Sequence, residues 1–89
     1  MPRIKTIKAT SHFVKSLKKL PRNIQEQFQK KDQNFRENPF VPSLKTHALK
    51  GKLKGLYSYS ISHSYRVLFE FVNDIEVIYF DVGTHEIYR

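Results

Sequence analysis

Residues 56–82 read LYSYSISHSYRVLFEFVNDIEVIYFDV. Three runs rich in aromatic and β-branched residues are separated by two polar breaks, His63-Ser64 and Asn73-Asp74. Such runs, bounded by turn formers, predict strands at Leu56–Ser62, Tyr65–Val72 and Ile75–Val82. Connections this short join antiparallel neighbours. Side chains alternate across a strand, so Tyr65, Val67, Phe69 and Phe71 share one face of the middle strand, and Arg66, Leu68 and Glu70 share the other. The aromatic face needs a cover. The opposite face presents a guanidinium, for which Glu70 is the expected partner, because an unpaired buried charge is costly.

The cover is encoded upstream. Phe13, Val14, Leu17 and Leu20 recur at helical spacing, with Lys15, Lys18 and Lys19 on the wet side and Thr10 or Ser11 as cap. Leu20-Pro21 stops this helix, and Pro21 can open the next. Ile24, Phe28 and Phe35 mark the buried stripe of the second helix, which ends at Asn38-Pro39. Arg3–Lys8, with Ile4 and Ile7, is a short first strand. Residues 38–55, with Pro39, Pro42, Gly51 and Gly55, read as a long connection of the kind that often carries function. Beyond Gly83, the tail brings His85, Tyr88 and the terminal carboxylate to the end of the sheet. The expected architecture is α+β in the order β-α-α-β-β-β. A helical hairpin packs on one face of a small, mainly antiparallel sheet, as one domain over residues 1–89.

The chain has 89 residues, no cysteine and a formal charge of +8. Disulfide and thiolate chemistry are therefore excluded. The start, Met1-Pro2-Arg3-Ile4-Lys5, lacks the apolar run of a signal peptide, and no stretch approaches the ~20 apolar residues of a spanning helix. A soluble, cytoplasmic protein with no membrane partner is the expectation. The charge is uneven: residues 1–54 hold 14 Lys/Arg against 3 Asp/Glu, and residues 55–89 hold 2 against 5. No acidic residue lies between Glu37 and Glu70, a window that contains Lys45, Lys50, Lys52, Lys54 and Arg66. An acid-free basic stretch attracts polyanions and suits contact with phosphates. A solvated lysine face, or an acidic protein partner, fits the same field.

Three ionisable groups can assemble a reaction centre: His47, Arg66 and His85. RNA carries its own nucleophile, the 2′-hydroxyl. Cleavage needs a base for that proton, an acid for the 5′-oxygen and a cation for the charge that develops on phosphorus. Imidazoles supply the first two near neutral pH, and an arginine fork supplies the third. No metal or other cofactor is required, and no His, Cys or carboxylate pair has zinc-site spacing. His63 reads as a turn residue and His12 as a helix-opening one. Tyr57, Tyr59 and Tyr65 read as packing residues.

The segments His47-Ala-Leu-Lys-Gly-Lys-Leu-Lys-Gly55, Tyr65-Arg-Val-Leu-Phe69 and Val82-Gly-Thr-His-Glu-Ile-Tyr88 together resemble the RelE/ParE toxin superfamily, most closely its RelE, YoeB and YafQ branch. The resemblance spans the whole chain. It implies the toxin of a type II toxin–antitoxin system, cutting mRNA in the ribosomal A site and leaving a 2′,3′-cyclic phosphate. It implies an antitoxin, mRNA and the ribosome as partners. By position, His47 matches a loop site that holds Glu or His in relatives, Arg66 the strand arginine, and His85 the C-terminal His or Arg. Tyr88 lies near the C-terminal aromatic. Where RelE has lysines on the first meander strand, this chain has Ser58 and Ser60. Where YafQ has a further His and Asp, it has Ser60 and Ser64. These departures favour a histidine-based mechanism: His47 as base, His85 as acid, Arg66 on the phosphate and Tyr88 positioning the nucleotide. Lys45, Lys50, Lys52 and Lys54 would grip RNA. Two other readings fit the sequence, a ParE-like inhibitor of DNA gyrase without nuclease activity and a basic nucleic-acid-binding module in which the histidines are incidental.

Overall fold

A computed structural model describes residues 3–88 of the chain. Strand β1 (Thr6–Ala9) leads into helices α1 (Ser11–Lys18) and α2 (Arg22–Glu37). After the helices come the short strand β2 (His47–Ala48) and the strands β3 (Tyr57–Ser60), β4 (Arg66–Asn73) and β5 (Glu76–Gly83). The sheet order is β1-β5-β4-β3-β2, with every pairing antiparallel except β1 on β5. The α+β class, the helical hairpin and the meander are as expected from the sequence.

Local chemistry fixes the boundaries. Thr10 caps α1 by accepting from the Phe13 amide at 3.0 Å, and its hydroxyl donates to the Phe80 carbonyl at 3.2 Å. One side chain thus caps the helix and fastens it to β5. Pro21 occupies the N-cap position of α2, and Asn38 is its C-cap. The β4–β5 turn is closed by Asn73, whose side-chain oxygen accepts from the Ile75 amide at 3.0 Å, an Asx-type turn.

Two expectations are corrected. The first strand starts at Thr6, three residues later than Arg3, and Ile4 precedes it as a buried anchor. The 38–55 connection is partly ordered structure. It contains 3-10 turns at Pro42–Leu44 and Gly51–Leu53, with β2 between them. Two residues are too few to show a period, so this edge strand has no sequence signature.

The core lies between the helices and one face of the sheet. Phe35 of α2 is fully buried. It stacks on Tyr59 at 4.8 Å between ring centroids and meets Phe69 edge-on at 4.9 Å. Phe13 and Phe28 pack on Tyr79. A polar chain crosses this core: the Tyr59 hydroxyl lies 2.9 Å from that of Tyr79, Tyr79 donates to Asp32 at 2.7 Å, and Asp32 accepts from Arg36 at 3.0 Å. Burial and the neighbouring carboxylate push both tyrosines above the ordinary phenol range, so they remain protonated hydrogen-bonding groups.

Candidate active site

The face opposite the helices is built in rungs. Directly opposed residues of an antiparallel pair share a face. His47 opposes Ser58, and Ser58 opposes Leu68. One rung along, Ser60 opposes Arg66, and Arg66 opposes Gly83. Alternation therefore puts His47, Ser58, Ser60 and Arg66 on the same side. Leu68 is buried yet stands outside the cluster that packs on the helices, as expected for a residue on this second face.

Arg66 is held by serine. Its guanidinium donates to the Ser60 hydroxyl at 2.6 Å, and no carboxylate among the described residues lies within ion-pair distance. The expected Arg66–Glu70 pair does not form. Arg66 and Glu70 are four residues apart on one strand, ~13 Å along its axis, whereas Ser60 sits directly across from Arg66. The arginine's charge is thus oriented without being neutralised.

The tail completes the face. Strand β5 ends at Gly83, and a 3-10 turn over His85–Tyr88 folds back. A Cβ at position 83 would stand 3.1 Å from the Ile87 side chain, so glycine permits the close return. The Tyr88 hydroxyl donates to Ser58 at 2.8 Å. Ser58 is fully buried, so this bond also satisfies a hydroxyl shielded from water. One short turn thereby places His85 beside Arg66 and Tyr88 at the rung that carries His47. The Arg89 carboxylate, expected at this end of the sheet, lies outside the described residues.

Two clefts of about 370 Å³ adjoin Arg66. One is lined by His63, Ser64, Arg66, Thr84 and His85. The other is lined by Lys31, Ser43, Lys45, Ser60, Ile61, Ser62, His63 and Arg66. Neither has a carboxylate in its lining, which suits an anion. Arg66 and His85 therefore meet in one cleft. His47 stands two strands from Arg66 and one rung along, about 12 Å between Cα atoms from standard strand spacing.

His47 is exposed but not unsupported. Its Nδ1 lies 3.0 Å from the Lys45 carbonyl oxygen. A carbonyl only accepts, so Nδ1 carries the proton in this contact and Nε2 is left to accept one when the ring is neutral. Lys45 adopts a left-handed conformation (φ 53°) at the end of the Pro42–Leu44 turn, and Leu44 beside it is fully buried. Lys45 thus links the two parts of the site, its backbone contacting His47 and its residue lining the Arg66 cleft.

The lysines divide. Lys45 borders the cleft, while Lys50, Lys52 and Lys54 are exposed around the β2–β3 hairpin tip, at the end of β3 remote from Arg66. His63 was expected only as a turn residue. It does lie in the β3–β4 connection, and it lines both clefts. A turn position has no periodicity to reveal its direction, and the register that places it beside Arg66 is a long-range property. Lys31 and Ser43 were likewise unmarked in the sequence. Among the described residues, no group of three or more His, Cys, Asp or Glu could hold a metal ion, and no helix is long and apolar enough to cross a membrane.

Sequence and structure comparisons agree with this architecture. The model for the ParE toxin of type II toxin–antitoxin systems, parDE, matches residues 7–87, and the chain belongs to this family within the RelE/ParE superfamily. No curated protein matches the sequence significantly. Among solved structures, the YoeB/ParE toxin from Agrobacterium tumefaciens superposes with a TM-score of 0.75 at 16% identity, over 91% of this chain and 99% of that one. The RelBE2 toxin–antitoxin complex from Mycobacterium tuberculosis gives 0.75 at 22% identity, over 96% and 100%. YafQ from E. coli gives 0.69 at 17% identity, over 92% and 94%. At these identities the likeness is one of fold.

Proposed function

We propose that this type II toxin is an endoribonuclease that cleaves mRNA without a metal, by attack of the 2′-hydroxyl on the adjacent phosphorus. The observation that carries the reading is the cleft shared by Arg66 and His85, acid-free in its lining, with Arg66 held by Ser60 rather than by a carboxylate. In this reading His47 takes the 2′-hydroxyl proton through Nε2. Arg66 stabilises the charge that develops on the non-bridging oxygens, the role in which a preorganised donor contributes most. His85 delivers a proton to the departing 5′-oxygen, leaving a 2′,3′-cyclic phosphate. Tyr88 positions the nucleotide. The approach of His47 to the phosphate is spanned by substrate, since the two rungs lie too far apart for direct contact between the side chains. Lys45, Lys50, Lys52 and Lys54 hold the backbone of mRNA or ribosomal RNA.

The substrate is assigned to mRNA in the ribosomal A site and the location to the cytoplasm. The partner is an antitoxin with an acidic segment, matched to the +8 charge. The solved RelBE2 neighbour, itself a toxin–antitoxin complex, supports a partner of this kind. The test is to add the purified protein to translating ribosomes and map mRNA 5′ ends. Discrete cleavage that disappears in a His85→Ala/Arg66→Ala double variant is expected. Intact message would overturn the reading.

A second reading is favoured by the match to the ParE toxin model. Here the chain binds DNA gyrase and cuts nothing. A supercoiling assay separates the two, because gyrase inhibition with no RNA cleavage belongs to this alternative alone.

A further inference from the structure

The cleft on the α2 side of Arg66 is not used by the chemistry described above. It brings Lys31 from the middle of α2 together with Lys45, Arg66, Ser43, Ser60 and Ser62, residues drawn from four separate parts of the chain. Lys31 is half-buried, unlike Lys30 beside it. The nearest acid in sequence, Asp32, is occupied by Tyr79 and Arg36. Three cations and three hydroxyls around an acid-free concavity form a donor set for a phosphate. Arg66 lines this cleft and the His85 cleft alike, and only one of its donors is spent on Ser60 among the described residues.

We propose that this cleft is a second phosphate subsite, which binds the phosphodiester adjacent to the scissile one. The preferred substrate is then a strand with at least two consecutive phosphates. This rests on the ribonuclease reading for the identity of the scissile phosphate. Arg66 stands between the two phosphates, and Lys31 is a substrate-positioning residue.

The experiment measures binding of uncleavable 2′-O-methyl oligonucleotides to the full chain. A trinucleotide with two phosphates is compared with a dinucleotide carrying one. The wild type is expected to favour the trinucleotide by about tenfold, the effect of one charged hydrogen bond. Lys31→Met keeps the packed stem and removes the charge. It is expected to lose most of that preference and to lower the slope of log affinity against log salt by about 0.7. Lys31→Arg should restore both. An unchanged preference in Lys31→Met would overturn the proposal. So would weaker binding of poly-glutamate with oligonucleotide binding intact, which would assign the cleft to an acidic protein segment. These ligands cannot be cut, so a protein that binds them as described yet never cleaves RNA would refute the ribonuclease reading and leave the subsite standing.

Discussion

On the helix side of the sheet, Tyr59 and Tyr79 are buried against Phe35, and their hydroxyls run in an unbroken chain to Asp32 and Arg36. On the opposite side, facing residues of β3 and β4 behave differently. Ser60 and Arg66 pair with each other, and the guanidinium keeps its net charge beside a lysine-lined cleft. The first face neutralises and satisfies what it buries. Around Arg66 the second concentrates positive charge in clefts without a carboxylate lining, which favours a polyanion. Alternation along β3 and β4 lets one small sheet do both, because a residue and its neighbour never share a face.

Substitutions on the two faces should therefore separate stability from activity. The largest effect is expected for Phe35→Ala, which empties the centre of the aromatic core. A loss of about 3–5 kcal/mol in urea unfolding is predicted, enough to unfold a domain of this size. Arg66→Ala should do the converse. RNA cleavage is expected to fall about 10²–10³-fold, as for loss of a preorganised transition-state donor, while urea unfolding changes by less than about 1 kcal/mol. A large stability loss in Arg66→Ala would erase the distinction between the faces.

A smaller effect is expected from the tyrosine chain. Tyr79→Phe leaves Asp32 without its buried donor and Tyr59 without its acceptor, at a cost of about 1–3 kcal/mol. The same chain predicts the alkaline limit. Both phenols have raised values in the folded state, so their contribution is complete below the ordinary tyrosine value near 10 and declines as the pH rises past it, where only the unfolded chain gives up the protons. Thermal unfolding followed from pH 8 to 11 should show this decline in the wild type and a weaker one in a Tyr59→Phe/Tyr79→Phe variant.

The parts of this molecule that were legible in the sequence are those with local causes. Thr10, Pro21 and Asn38 punctuate the helices, and the alternation around Arg66 correctly separates Phe69 from the site face. Arg66 and His85 stood out because a cation within an apolar strand and a histidine after a glycine are local anomalies. What was not legible depends on register. Serine as the partner of Arg66, Ser58 as the acceptor for Tyr88, the parallel pairing of β1 on β5 and the arrival of His63 and Lys31 at the clefts all follow from how distant segments align. The two-residue strand carrying His47 was hidden for a different reason, being shorter than any period.

The assignment of the serine–arginine face as a ribonuclease site is tested most directly through the leaving group. An RNA substrate with sulfur in place of the bridging 5′-oxygen at the cut site needs no proton donor, since a thiolate departs unaided. His85→Ala should cut this substrate at close to the wild-type rate while remaining slow on ordinary RNA, and His47→Ala should be slow on both. Equal impairment of His85→Ala on the two substrates, or no cleavage of either by the wild type, would contradict the account.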